Sequence, residues 1–154
     1  VSGGGQEFGL RGGTENLLGI ISFGECASAL KDIDNEGIRL KELIRLLEDN
    51  LSSLGANIFG YNVERLPNTS LFSFTEFKAE SLLMKLDLAG FSVSSGSACS
   101  SGTVKERHVL KAMNIGESMQ KGAIRVSLGW GSNKEQVENL INFFENTFSR
   151  KTKE

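Results

Sequence analysis

Residues 124–128 read Ile124-Arg125-Val126-Ser127-Leu128, with apolar and polar side chains at alternate positions. Period-two alternation marks a strand with one buried and one open face. Ile124, Val126 and Leu128 are therefore expected to face a core, and Arg125 and Ser127 to face away from it. Just beyond, Ser132 and Glu135 stand at capping-box spacing. Behind them Val137, Leu140, Ile141, Phe144 and Phe148 share one face of a helix pattern, with Arg150, Lys151 and Lys153 at its end. A half-buried strand running into an amphipathic helix calls for a small sheet with helices laid against it.

Working outward, the same signals recur. Leu40, Leu43, Ile44, Leu47, Leu51 and Leu54 repeat at helical steps over about 35–54, with Lys41, Arg45, Glu48 and Asp49 elsewhere on the wheel. Gly55 sits where a C-terminal glycine would end that helix. Strands are expected at 57–60 and around Leu71–Thr75, a helix over 79–89 stopped by Gly90, and a strand over 91–94. Val109, Leu110 and Met113 open a short helix ending near Gly116. Upstream, Leu17, Leu18, Ile21 and Ala29 suggest an apolar stripe on a helix from Thr14 to about Leu30. The fold class is therefore α/β in an α+β-like arrangement, a small and mostly antiparallel sheet covered by helices.

Composition narrows the function classes. The 154 residues are enough for one ordinary core, and 39% hydrophobic with 23% charged residues is ordinary for a globular protein. A net charge of −2 gives no electrostatic reason to expect nucleic acid or anionic lipid. No run approaches the roughly 18 apolar residues of a membrane span. The two cysteines, Cys26 and Cys99, form no CxxC pair, and with His108 the single histidine there is no metal-ligand spacing. A reducing, cytoplasmic compartment is expected. The chain opens on Val1 and runs straight into glycine-rich sequence, so a segment of a longer protein is expected.

Three places offer chemistry. Ser94-Ser95-Gly96-Ser97-Ala98-Cys99-Ser100-Ser101-Gly102 surrounds a cysteine with the smallest side chains available. An accessible, mobile thiol and a packed cysteine in a Ser/Gly turn fit this composition equally well. Arg125, fixed on a strand, suits two-pronged capture of a carboxylate, while on the residues alone a surface salt bridge is the commoner role for such an arginine. Residues 1–13 form a glycine-rich loop; Arg11 and Thr14, at a helix start, favour an anion such as phosphate, while a plain linker reads the same. Cys26, among Phe23, Ala27 and Leu30, is expected in a core, and His108 is taken as a local structural residue.

Together these segments resemble one family. Gly3-Gly4-Gly5-Gln6-Glu7, Arg11-Gly12-Gly13-Thr14-Glu15-Asn16, Ser95-Gly96-Ser97-Ala98-Cys99, His108-Val109-Leu110 and Ile124-Arg125-Val126-Ser127-Leu128-Gly129 resemble, in that order, the C-terminal part of cysteine desulfurases of the class-V aminotransferase family. The resemblance implies the C-terminal domain of a fold-type I pyridoxal-phosphate transferase, with 1–13 the remnant of the large cofactor domain and 14–154 the small domain with its linking helices. It implies pyridoxal 5′-phosphate as cofactor, L-cysteine as substrate, and an iron–sulfur scaffold or another sulfur acceptor as partner, in a homodimer. By motif match Cys99 carries the persulfide, Arg125 binds the substrate carboxylate, and Thr14 contacts cofactor phosphate.

The departure is the cofactor's anchor. None of the lysines at 31, 41, 78, 85, 105, 111, 121, 134, 151 and 153 sits in a Ser-x-His-Lys context. Activity is therefore expected to need a part of the fold that this chain does not hold. The alternative expectation is a non-catalytic remnant that serves in folding, dimerisation or scaffold docking.

Overall fold

A computed structural model describes residues 2–30, 32–95 and 108–151. The chain divides into two units, Val1–Asp34 and Asn35–Glu154. The first holds a tight turn over Gln6–Gly9, in which Glu7 and Phe8 take left-handed angles (φ 50° and 58°), and helix α1, Leu17–Ala29. Asn16 caps α1, its side chain accepting from the Gly19 N–H at 3.2 Å. None of the α1 residues is buried, so the expected stripe of Leu17, Leu18, Ile21 and Ala29 faces no core. Cys26, expected in a core, is exposed for the same reason.

Helix α2 (Ile33–Ser53) runs from the first unit into the second, which continues with strands β1 (Asn57–Ile58) and β2 (Thr69–Ser73), helix α3 (Ala79–Leu88), strand β3 (Ser94–Ser95), helices α4 (His108–Ala112) and α5 (Glu117–Lys121), strand β4 (Ile124–Ser127) and helix α6 (Lys134–Lys151). The sheet order is β1-β2-β4-β3, antiparallel at every pair. This is the mixed architecture with a small antiparallel sheet that the sequence patterns call for.

One face of the sheet carries the main core. Ile124 and Val126 from β4 and Phe72 from β2 pack with Leu43, Leu47 and Leu51 of α2, Leu82 and Leu86 of α3, and Val137, Leu140, Ile141 and Phe144 of α6. Aromatic rings knit it edge-on: Phe72 and Phe144 lie 5.7 Å apart at 78°, and Phe72 and Phe74 5.9 Å apart at 81°. A smaller cluster of Phe59, Leu110 and Ala123, flanked by Leu71, Ile115 and Met119, is built largely from α4, α5 and the segments beside them.

Helix ends decide where elements stop. Gly55 (φ 87°) and Gly90 (φ 85°) take the left-handed position that ends α2 and α3. There Ala56 N–H donates to Leu51 O, and Phe91 N–H to Leu86 O, both at 2.9 Å. The second bond explains why the strand expected at 91–94 starts only at Ser94: Phe91 is used in closing α3. The same pattern ends α4, with Asn114 (φ 56°) in the glycine's place and Ile115 N–H donating to Leu110 O at 3.0 Å. The helix thus stops before Gly116, which is instead the N-cap of α5, an element the patterns did not announce.

Two side-chain expectations are corrected. The capping box of α6 is Asn133 with Gln136, each backbone N–H donating to the other's side chain at 3.1 and 3.0 Å. Ser132 is already committed, its hydroxyl accepting from Gly129 N–H at 3.0 Å to close the preceding turn. Glu48, expected on the polar side of α2, is 1% exposed. It is met by Arg65, whose Nη1 and Nη2 donate to its two carboxylate oxygens at 2.7 and 2.5 Å.

Candidate active site

Alternation along β4 sends Ile124 and Val126 into the core and leaves Arg125 and Ser127 exposed on the opposite face. The register sets their neighbours. Arg125 lies across from Leu71 on β2 and from Ser94 on β3, and Ser127 across from Thr69. Residues directly opposite in an antiparallel pair share a face, with Cβ atoms about 4.5–5.5 Å apart. The guanidinium therefore rises from a sheet face set with hydroxyls. No described residue forms an ion pair or side-chain hydrogen bond with Arg125. The salt-bridged surface arginine, one of its two sequence readings, is not what the described residues form.

The strand beneath Arg125 is pinned at its far end. Asn68 O accepts from Leu128 N–H at 2.8 Å, and Asn68 Nδ2 donates to Leu128 O at 3.1 Å, extending the β2–β4 ladder by one residue. Arg39 of α2 donates to Ser132 O at 2.6 Å and to Trp130 O at 3.3 Å. It also forks onto Glu36 at 2.8 and 2.7 Å, and this hydrogen bond holds the Glu36 carboxyl below the usual carboxylate range. Arg65, besides holding Glu48, donates to Thr69 O at 3.3 Å at the start of β2. Sequence reasoning missed Glu48 and Arg65 as supports. The signal was there: Glu48 follows Ile44 by four and precedes Leu51 by three, which puts it on the apolar face.

Cys99 lies outside the described residues. The covalent chain leads to it from β3: Ser94, opposite Arg125, precedes it by five positions. Thr14 is exposed, ahead of α1. Arg11 spends its guanidinium locally, Nη1 donating to Gly13 O at 3.1 Å and Thr14 O at 2.9 Å. It thereby shapes the approach to α1 and is not held out toward a ligand. His108 is exposed at the first position of α4.

This set can be tested against a pyridoxal phosphate. Taken one at a time, the Arg125 guanidinium, which has no partner among the described residues, suits a carboxylate, and the exposed Thr14 hydroxyl suits a phosphate. A covalent anchor needs a lysine in an enclosed site, and each lysine whose side chain is described, at 41, 78, 85, 111, 121 and 134, is exposed. Lys121 pairs with Glu117 at 2.6 Å, Lys134 with Glu138 at 3.4 Å, and Lys85 stands over the Phe77 ring at 5.8 Å. Among the described residues there are groups that fit the anionic handles of such a cofactor, and no enclosed lysine that fits its anchor. A shallow groove of about 370 Å³ lined by Ala56, Ile58, Phe59, Tyr61, Ile115 and Met119 also holds no lysine. Among the described residues no helix is long and apolar enough to cross a membrane.

Comparison with known proteins agrees with this architecture. Residues 4–140 match the model of the aminotransferase class-V family. The cysteine desulfurase IscS of Dictyoglomus turgidum is 41% identical over 150 residues, which cover 94% of this chain and 38% of that relative. The cysteine desulfurase NifS of Azotobacter vinelandii is 36% identical over 144 residues, covering 92% of this chain and 36% of the relative. Among solved structures, a NifS-like protein from Rickettsia africae superposes with a TM-score of 0.81 at 37% identity, over 97% of this chain and 39% of that one. The chain thus spans well under half the length of the relatives it matches.

Proposed function

The chain belongs to the aminotransferase class-V family, and from that premise we propose that it is the C-terminal segment of a pyridoxal-phosphate-dependent cysteine desulfurase. In this reading residues 1–13 are the end of the large cofactor domain, and 14–154 are the small domain with its linking helices. Arg125 holds the carboxylate of L-cysteine through both guanidinium arms. Thr14 contacts the cofactor's phosphate. Cys99 takes the sulfur. Its thiolate forms an S–S bond to the substrate sulfur as the substrate Cβ–S bond breaks; the carbon fragment keeps the electron pair and leaves, once protonated, as L-alanine. When bound, the cofactor supplies the electron sink for that bond cleavage. The persulfide then passes to an iron–sulfur scaffold or another acceptor thiol, in a cytoplasmic homodimer.

One observation carries the reading most. Arg125 stands on a pinned strand without a partner among the described residues, directly across from the residue that leads into the Cys99 segment. Five residues from Ser94 give Cys99 a covalent reach of at most about 18 Å, so a substrate held at Arg125 is within range of its sulfur. The exposure of every lysine whose side chain is described supports the further point that the anchoring lysine belongs to a part of the fold outside this chain.

The test is sulfide release from L-cysteine and pyridoxal phosphate. The chain alone should release none. Mixed with the rest of the D. turgidum relative, outside the matched 150 residues, it should release sulfide, and Cys99→Ala should abolish this. Release by the chain alone would sink the incompleteness claim; release undiminished by Cys99→Ala would sink the role of Cys99. A second reading, a non-catalytic docking module, is favoured by one observation, that no residue of α1 is buried. It predicts no sulfide in any mixture.

A further inference from the structure

We propose that Leu71 is a positioning residue: it walls one side of Arg125 and directs the guanidinium over β3, the strand that leads to Cys99. The inference rests on the desulfurase reading above, since it deepens the role given there to Arg125. It starts from the parity of the ladder. Leu128 N–H donates to Asn68 O, so these two form a hydrogen-bonded pair one step beyond Thr69 and Ser127. Bonded and non-bonded pairs alternate along antiparallel strands. Ser70 and Val126 are then a bonded pair, and Leu71 and Arg125 a non-bonded one. The Arg125 N–H and C=O therefore point to β3, where Arg125 and Ser94 make the bonded pair.

Parity also fixes the spacing on each side. Cα atoms stand about 4.5 Å apart in a non-bonded pair and about 5.5 Å apart in a bonded one. Arg125 thus has its closer neighbour in the bulky Leu71 and its farther one in the small Ser94. Leu71 is backed as well: it packs against the cluster of Phe59, Leu110 and Ala123. Ala123, two positions before Arg125, lies on the same face by alternation. The apolar neighbours of Arg125, Leu71 and Ala123, therefore belong to a core. Its remaining neighbours, Ser94 across the bonded pair and Ser127 along the strand, carry short hydroxyl side chains, and neither is buried.

An arginine gains by resting its aliphatic stem on apolar surface while its charged head stays in water. At Arg125 the stem has the flank of Leu71 to rest on, and the room for the head lies over Ser94. The filled volume at 71 acts as a stop and the small volume at 94 as an opening. Both send the head toward the side of the sheet from which the chain continues to Cys99. An arginine confined in this way has less freedom to lose when a carboxylate binds, and that saving appears as affinity.

The test separates aim from plain support of the fold. In the chain mixed with the rest of the D. turgidum relative, Leu71→Ala should raise KM for L-cysteine about three- to tenfold, as when one side chain must be immobilised on binding, with kcat nearly unchanged. Leu71→Ile keeps the bulk and should keep KM low. Leu110→Ala removes a side chain of the same cluster that is not paired with Arg125, and should leave KM where it was. Ser94→Val fills the open side without touching the cluster. It should raise KM by a similar factor, and it decides the matter if Leu71→Ala fails to fold. In the chain alone, NMR relaxation at the Arg125 Nε should give a lower order parameter in Leu71→Ala than in the unsubstituted chain. An unchanged KM or an unchanged order parameter in Leu71→Ala overturns the proposal. So does a KM rise in Leu110→Ala equal to that in Leu71→Ala, or an unchanged KM in Ser94→Val. The relaxation arm needs no sulfide. A lowered order parameter in a chain whose mixture releases no sulfide counts against the desulfurase reading only, and sulfide release with KM and order parameter unmoved counts against this inference only.

Discussion

Helices α1 and α2 follow one another in the chain and are both rich in leucine and isoleucine, yet they behave in opposite ways. In α2 five apolar residues, Leu40, Leu43, Ile44, Leu47 and Leu51, fall on one side and are buried, while Ile33 and Ile38 in its first turns are exposed. In α1 the apolar residues fall on all sides and none is buried. The difference is arrangement, not hydrophobicity: α1 is the more apolar of the two by composition. A stripe can be satisfied by one sheet. A helix apolar all round must be enclosed, whereas the unit Asn35–Glu154 has its main core built by α2, α3, α6 and one face of the sheet. The part of the chain that completes itself is thus distinguishable, from pattern alone, from the part that needs more protein around it.

The largest effect that sharpens this contrast comes from the core. Phe144 is fully buried with its ring 5.7 Å from Phe72 and 5.6 Å from Phe74. Phe144→Ala should cost about 3–5 kcal/mol in a urea or thermal melt. Leu18→Ala, which removes a side chain of similar apolar character from α1, should shift the same transition by less than about 0.5 kcal/mol. A large loss at Leu18 in the isolated chain would show that α1 is packed and would break the comparison.

Next comes the one acidic residue that α2 buries. Glu48→Ala leaves the Arg65 guanidinium beside the core without its carboxylate, and breaking a buried pair from one side costs about 3 kcal/mol or more. Arg65 is itself about a quarter exposed, 26% by side chain, so it can turn partly to water. The expected loss therefore sits at the lower end of that range. Replacing both partners, Glu48→Leu with Arg65→Met, should recover most of it. If the double variant is no better than the single one, the pair contributes through the Arg65 bond to Thr69 O, and not through mutual compensation of charge.

Much of this was legible in advance, and the boundary of legibility has physical causes. Strand β4 and helices α2, α3 and α6 follow directly from periodicity, because each has one buried face and that face writes itself into the residue order. Arg125 is legible for the same reason, as the polar step in an alternating strand. Its lack of a partner among the described residues is not legible, since that depends on Leu71 and Ser94 lying opposite it, a matter of register between strands distant in sequence. Residue pattern also failed wherever two roles competed for one residue. Phe91 closes α3 and does not start β3; Ser132 closes a turn and so passes the cap to Asn133. Apolar neighbours along a helix predict a core around Cys26, and it is exposed, because apolar composition does not by itself supply a surface to pack against.

The smallest predicted effect concerns the two helix caps, which are chemically alike. Asn16 accepts from Gly19 N–H at 3.2 Å at the start of α1, and Asn133 accepts from Gln136 N–H at 3.0 Å at the start of α6. Removing an asparagine cap costs about 1 kcal/mol where the helix is part of the cooperative fold, which for a domain of this size is roughly 2–4 °C in Tm. Asn133→Ala should therefore lower Tm by about that amount, because α6 supplies Val137, Leu140, Ile141 and Phe144 to the core and cannot fray without disturbing it. Ser132→Ala, one position earlier, should cost less, since its hydroxyl serves the turn and not the helix. Asn16→Ala should leave Tm unchanged in the isolated chain, as α1 buries nothing that the transition would report. It should instead raise hydrogen exchange across Leu17–Ala29, the signature of a helix that opens on its own. Equal Tm losses at the two asparagines would mean that α1 unfolds together with the core, and the division between a self-sufficient domain and an unenclosed helix would have to be given up.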